Sequence, residues 1–501
     1  MQERLPIIVG VGQCTHHTAD VADGREPLAL MAEAARLALA DAGPAQLATR
    51  IDSVRVVNLL SAVYPDPAAA LAERIELAGG ERLYTALGGN SPQWLASRTA
   101  DDLAAGRIRA ALLAGAEAMH TLRLAAKRGV ALEWTRGSIR AATIGDTRQG
   151  SHPDEWKHGA QMPAQIYPLF EVALRAHERR APAAHRAHIA ALSASFARVA
   201  AGHPQAWFRD AKSADTIAQV NAQNRMVAYP YTKFMNAIME VDQGAALVMT
   251  TVGEARALGI PEDRWVYLHG GGDAHDHWHI RDRVEYHASL GMTAAFEEAL
   301  SQAGIDADAL GPVDLYSCFP VAPQFAARIL GFPTDGSRPL TVTGGLPYFG
   351  GAGNNYVMHA IATMVERLRA APGQLGLVSG LGWYMTKHAV GVYGTTPPSR
   401  PWQRPPRETV QEAVDAIPHP AAVEHAEGRA RIETYTVLHD REGAAHDAIV
   451  IARLGDGRRV FANVDADRDL FATLERTEMV GAAGHVRMGL DGRNRFYPSG
   501  A

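Results

Sequence analysis

Apolar positions fall into two alternating rhythms from the start of the chain. Ile7-Ile8-Val9-Gly10-Val11-Gly12 is an unbroken apolar run closed by glycines, which predicts a buried strand. It is not a dinucleotide fingerprint, because no third glycine and helix follow at the required spacing. A helix is predicted next, opened by Pro27 and stopped by Gly43, with Leu28, Met31, Ala32, Ala35 and Leu39 on one stripe. Ile51-Asp52 then leads into a second strand, Val54 to Leu60. A helical run from Leu95 to Leu103 stops near Gly106, and Ala110-Ala111-Leu112-Leu113 reads as another buried strand. The order returns about 260 residues later. Met292, Phe296, Ala299 and Leu300 form a stripe that ends at Ala303-Gly304. Ile305-Asp306 follows, then the strand Val313-Asp314-Leu315-Tyr316-Ser317-Cys318-Phe319. Helix, Ala-Gly stop, Ile-Asp, buried strand: the repeat predicts an internal duplication.

Val241 to Met249 is a further apolar run that closes the first half. Between about 120 and 225 lies an insertion rich in His, Arg, Trp and Pro, containing Gly159-Ala160-Gln161-Met162-Pro163 and Tyr167-Pro168-Leu169-Phe170-Glu171. Long insertions of this kind are usually functional lids. Thr395 to Pro406 is a proline-rich connector. Short alternating runs follow it, Ala430 to Leu438, Ala448 to Arg453 and Val460 to Val464, with a hairpin turn at Asp456-Gly457. Short strands with glycine turns predict a small β barrel, OB-like. The expected domains are therefore 1–275, 276–395 and 396–501, with the insertion inside the first.

The chain has 501 residues, 47% hydrophobic and 21% charged, enough for two to four globular domains. A net charge of −5 without a long basic run argues against a nucleic-acid partner. Two cysteines, Cys14 and Cys318, give no CxxC pair and point to a reducing compartment, the cytoplasm. The N-terminus lacks the features of a leader peptide, and no apolar run has membrane-spanning length. His275, His277 and His279 would share one strand face and could hold a zinc ion. Their place at the junction of the two halves favours a hydrogen-bonding loop, and no metal is expected.

The chemistry concentrates on Leu87-Gly88-Gly89-Asn90-Ser91-Pro92-Gln93-Trp94. This stretch follows a strand end, Tyr84-Thr85-Ala86, and opens the helix to Leu103. A strand–tight turn–helix unit aims backbone N–H groups and a helix dipole at whatever occupies the turn. The stretch resembles the thiolase superfamily, matched without gaps through Gly106, Gly115 and Glu117. The resemblance covers about residues 5 to 395 and four motifs. It implies a nucleophilic cysteine at the position of Gly89, with Ser91 kept two residues on. Val313 to Phe319 matches the family's second motif, with Tyr316 at its Asn or His position. Gly344-Gly345-Leu346-Pro347-Tyr348-Phe349-Gly350-Gly351-Ala352 matches the third, with Gly351 where the basic histidine stands. Val378-Ser379-Gly380 matches the Cys-x-Gly motif, so the acid/base cysteine falls on Val378, or Ser379 is one residue away. Val241 to Met249 resembles the family's Asp-Gly-Ala-Ala strand, and the insertion sits where the family has its loop domain.

The resemblance is to the sterol-carrier-associated branch and to the thiolase-like proteins called type 1, which also lack catalytic cysteines and carry an extra C-terminal β domain. It implies an α/β fold of two duplicated βαβ-rich halves, in five αβαβα layers, each with a five-stranded mixed sheet. It implies CoA or acyl-CoA as ligand, no covalently bound cofactor, and a homodimer or a monomer. The family's second oxyanion hole uses amides at the Gly89 and Gly380 positions, and any non-proline residue supplies an N–H. Candidate catalytic residues are Tyr316, Tyr348 and His388, with Tyr316 and Tyr348 alternatively filling vacated volume. The pocket residues expected around them are Gly89, Asn90, Ser91, Ser317, Cys318, Gly351, Val378, Ser379 and Gly380. Cys318 as a substitute nucleophile is disfavoured, since buried cysteines are usually inert. Three functions remain open: acyl-CoA acyltransferase chemistry without a covalent intermediate, retro-aldol cleavage of a β-hydroxyacyl-CoA, and non-catalytic acyl-CoA binding. Thiolase-fold aldolases that lack the cysteine use tyrosines and an OB-fold partner, which makes the second reading concrete.

Overall fold

Two strand sets meet edge to edge in one nine-stranded sheet. The coordinates are a computed structural model describing residues 2–135 and 141–499. The first set is β1 (Pro6–Thr15), β2 (Ile51–Val56), β3 (Glu81–Tyr84), β4 (Ala110–Ala118) and β5 (Asp242–Thr251). The second is β6 (Val266–His275), β7 (Leu310–Asp314), β8 (Leu375–Gly382) and β9 (Lys387–Gly394). Their order is β3-β2-β4-β5-β1-β6-β9-β8-β7. β1 and β5 are antiparallel, β5 and β4 antiparallel, β4 and β2 parallel. From β6 outward the same relations recur through β9, β8 and β7. The halves join where Ile7 faces Tyr267 and Ile8 faces Val266.

The duplication has a packing reason. Helix α1 (Pro27–Ala42) lies on β1, and helix α3 (Leu290–Ala303) lies on β6. Side chains on Gly10 and Gly12 would collide with the backbone oxygens of Ala38 and Ala34 of α1. Side chains on Gly270 and Gly272 would collide with those of Ala299 and Ala295 of α3. A glycine pair two apart lets a helix backbone rest directly on the strand, and both halves use it. Between the halves lie α2 (Ser91–Ala104) and α4 (Tyr356–Ala370), which touch strands of both sets and each other.

Three expectations are adjusted. β6, which the expected boundary at 275 leaves with the first domain, pairs with β9 of the second strand set. The second set has four strands among the described residues rather than five. The proline-rich connector is strapped to the core, with Trp402 Nε1 and Arg404 Nη2 each donating to Asp101 at 2.7 Å.

At the C-terminus the expected barrel is present. β10 (Gly428–His439), β11 (Ala445–Leu454), β12 (Arg459–Asn463), β13 (Ala483–Met488) and β14 (Asn494–Pro498) close a ring in the order β10-β11-β12-β14-β13-β10. The barrel clamps the insertion. The insertion's short strand Met226–Ala228 pairs with β10, and Tyr229 N–H donates to Val437 O at 2.8 Å. The insertion helix Pro163–His177 lies against the same strand, where Thr434 Oγ1 donates to Leu169 O. Arg175 on that helix donates to Tyr435 Oη at 3.2 Å and to Glu478 at 2.9 Å.

The C-terminal end of the outer edge of β3 is covered by the chain itself. Ile144 N–H donates to Tyr84 O at 2.8 Å, and Ala86 N–H donates to Ile144 O at 2.7 Å. Among the described residues no helix is long and apolar enough to cross a membrane.

Candidate active site

The turn after β3 is pinned from both halves. Gly88 N–H donates to Asn354 Oδ1 at 2.9 Å, and Asn354 Nδ2 donates to Asn58 O at 2.9 Å. Ser91 Oγ donates to Ala86 O at 3.0 Å, and Ser91 N–H to Gly88 O at 3.0 Å, which turns the chain into α2. Pro92 at the first turn of α2 costs no hydrogen bond there.

Two consecutive glycines leave space that the second half fills. A Cβ on Gly89 would lie 2.8 Å from Tyr316 Cζ and 2.6 Å from Leu381 O, and closer still to the Tyr316 hydroxyl. A Cβ on Gly88 would lie 2.9 Å from Lys387 Nζ and 2.5 Å from Asn90 Oδ1. Tyr316 thus presses its hydroxyl into the place where a residue-89 side chain would start. Its own backbone is fixed by Ser379, whose Oγ accepts from Tyr316 N–H at 3.0 Å. Gly380 completes the group, since a Cβ there would stand 2.9 Å from Asn90 Cα. The structure therefore brings together Gly89, Asn90, Ser91, Tyr316, Ser379 and Gly380, with Val378 buried on β8 opposite Asp314.

Asp314 braces this region from beneath. Its fully buried carboxylate accepts from Thr341 Oγ1 at 2.8 Å, Val342 N–H at 2.9 Å and Tyr356 Oη at 2.9 Å. The Tyr356 ring stands edge-on to that of Tyr316, with centroids 5.8 Å apart. Burial raises the Tyr316 hydroxyl well above the usual tyrosine range, so it is held as an O–H donor.

The other expected residues are held by different partners, although His388 lines a small cavity with Asn90 and Ser91. Ser317 Oγ accepts from Leu346 N–H at 3.3 Å, and Gly351 N–H donates to Ile238 O at 2.7 Å, so both serve the 344–351 loop. Tyr348 faces a cavity of about 20 Å³ shared with Leu192, Ser193 and Phe196, so its neighbours there come from the insertion, not the turn. Burial raises its pKa as well. His388 is engaged by Asp276 at 3.2 Å and Ser289 at 3.1 Å. Burial opposes ionisation of Asp276, but Arg283 and His388 outweigh it and hold the carboxyl below its ordinary range. Cys318 is buried, and burial pushes its thiol up to about 12. Among the described residues no three His, Cys, Asp or Glu side chains are arranged to hold a metal.

Lys387 escaped the sequence reading. It precedes His388 on β9, so its side chain takes the opposite face and reaches the turn, where Nζ donates to Leu87 O. Burial lowers its pKa to about 8, with Asp146 raising it and Arg407 and Arg148 lowering it further. A signal was present: the chain has only five lysines against forty-four arginines, and Lys387 is the one lysine that is buried. Beside Leu87 a cavity of about 450 Å³ opens, lined also by Asn58, Tyr84, Arg148 and Trp383. A larger groove, about 880 Å³ between α3 and the helix Arg407–Asp415, contains none of the turn residues.

Paired βαβ halves around two central helices, with the strand–turn–helix unit at their junction, define the thiolase fold. Residues 409–492 match the family described as thiolase-like protein type 1 additional C-terminal domain. A crystal structure of a monomeric SCP2-thiolase-like protein type 1 from Mycobacterium smegmatis superposes with a TM-score of 0.86, at 34% identity over 100% of both chains. This chain belongs to that SCP2-thiolase-like type 1 family. The Ltp2-ChsH2(DUF35) aldolase matches at 0.60, with 18% identity over 79% of this chain and 98% of that one. The acetyl-CoA acetyltransferase from Syntrophomonas wolfei matches at 0.53, with 15% identity over 78% and 99%. These last two share the fold. No curated protein sequence gives a match.

Proposed function

We propose that the chain binds a CoA thioester at the Gly88–Gly89 turn and cleaves the C2–C3 bond of a β-hydroxyacyl-CoA by a retro-aldol reaction. A base removes the β-hydroxyl proton, the C2–C3 bond breaks, and C3 leaves as an aldehyde or ketone. The electron pair passes to the thioester as an enolate, which is reprotonated at C2. The observation that carries this reading is the Tyr316 hydroxyl seated in the Gly89 side-chain space, a protonated donor at the turn. An acyl-cysteine route is disfavoured because burial pushes both thiols, Cys14 and Cys318, to about 12. The broader acyltransferase reading shares the thioester site but has no nucleophile at this turn. The aldolase among the structural neighbours is compatible with carbon–carbon cleavage on this fold. We read the barrel as OB-like and as a clamp on the insertion, and we place the protein in the cytoplasm.

The test is release of aldehyde or ketone from a panel of β-hydroxyacyl-CoA thioesters, followed by chromatography. Tyr316→Phe is expected to lower kcat/KM about 100- to 1,000-fold, the usual cost of losing one oxyanion donor. Absence of product from the wild-type protein on the whole panel would defeat the reading. So would full activity in Tyr316→Phe.

A further inference from the structure

The two residues that fill the glycine turn carry opposite chemistry. Tyr316 reaches Gly89 and Lys387 reaches Gly88, so their polar tips stand on neighbouring residues whose Cα atoms are roughly 3.8 Å apart. Tyr316 can donate a proton or hydrogen bond, whereas Lys387 can take a proton once its amine is neutral. We propose that Lys387 is the general base of this site and accepts the β-hydroxyl proton while Tyr316 holds the thioester oxygen. This rests on the retro-aldol reading above.

Several observations point the same way. An arginine cannot act as a base near neutral pH, and this chain, which uses arginine far more often, keeps a lysine at this buried position. Burial at Lys387 disfavours the ammonium and brings its pKa to about 8, within reach of physiological pH. Burial acts on Tyr316 in the other direction, raising its pKa, and environments that push two groups apart in this way separate an acid from a base. The partner of Nζ in the structure is a carbonyl oxygen, Leu87 O, to which both the ammonium and the neutral amine can donate, while only the neutral amine has the lone pair that takes a proton. Asn90 Oδ1, buried and without a hydrogen-bond partner, lies at the same turn and offers a polar atom to an incoming group. A cavity of about 20 Å³, lined by Lys387, Asn90, Ser91 and Asp146, has room for about one water. It shares Ala86 and Asp146 with the 450 Å³ cavity, so the two lie side by side. The charged and titratable groups around Lys387 are Asp146, Arg148, Arg407, Asp273 and His388. Asp146 favours the ammonium, and the two arginines oppose it.

The experiment is a pH–rate profile of β-hydroxyacyl-CoA cleavage by the whole chain and by Lys387→Gln and Lys387→Arg. The wild type is expected to show kcat/KM rising tenfold per pH unit below about 8 and levelling above it. Both variants should lose at least about 100-fold and lose that limb, with thermal unfolding confirming that they are folded. Retention of the limb in Lys387→Arg overturns the assignment of Lys387 while leaving retro-aldol cleavage intact. If both variants fail to fold, a wild-type profile without a limb near pH 8 overturns the assignment, and one with it supports it. No cleavage by the wild type at any pH overturns both readings together.

Discussion

The hydroxyl of Tyr316 stands in the space where a side chain on Gly89 would begin. This ties the first half of the chain to the second through one side chain and one missing side chain. The side-chain space at Gly89 is therefore filled from the second half of the chain.

Gly89→Cys is expected to destabilise the protein by about 1–3 kcal/mol, the usual cost of forcing atoms into a filled core. Adding Tyr316→Asn should recover most of that loss. Urea unfolding of the two variants measures both effects. A Gly89→Cys variant as stable as the parent would show that Tyr316 moves aside freely.

Both thiols should resist alkylation in the folded protein. With pKa values near 12, the thiolate is about one part in ten thousand at pH 8. A thiol-reactive dye should label fewer than one cysteine per chain before unfolding and two after it. Rapid labelling of Cys318 in the native state would reopen the acyl-cysteine route.

His359 should make acid unfolding steeper. It is fully buried, bonds Gln13 Oε1 at 3.0 Å, and burial lowers its pKa to about 3 from 6.5. The unfolded chain binds a proton at this imidazole below pH 6.5, while the folded one refuses it until about pH 3. The neutral imidazole's contribution is thus complete above pH 6.5 and fades as pH falls toward 3, by about 1.4 kcal/mol per pH unit. The stability difference between wild type and His359→Gln should shrink at that slope between pH 6 and 4. Parallel curves would place the acid sensitivity elsewhere.

Much of the fold was legible because its signals are local. Buried apolar runs, glycine stops and the repeated Ile-Asp lead into the strands gave both halves and the C-terminal barrel. The thiolase-like type 1 expectation is met at the level of the family. What was not legible depends on long-range contact. Tyr316 and Tyr348 look alike in sequence, yet Tyr316, held by Ser379, reaches the turn, while Tyr348, on the 344–351 loop, faces the insertion. His388 and Lys387 are adjacent, and strand alternation sends the histidine to Asp276 and the lysine to Leu87. The strapping of the connector to Asp101 and the clamping of the insertion by the barrel leave no periodic trace at all.

The bridge made by Ile144 has an outcome for assembly. An open strand margin is an invitation for another polypeptide to add itself to the sheet. Here Tyr84 O and Ala86 N–H at that margin already bond to Ile144. A visiting strand at this rim would first have to evict a piece of the host's own backbone, and each pair broken must be replaced before any gain accrues. That end of the rim is thereby occupied from within.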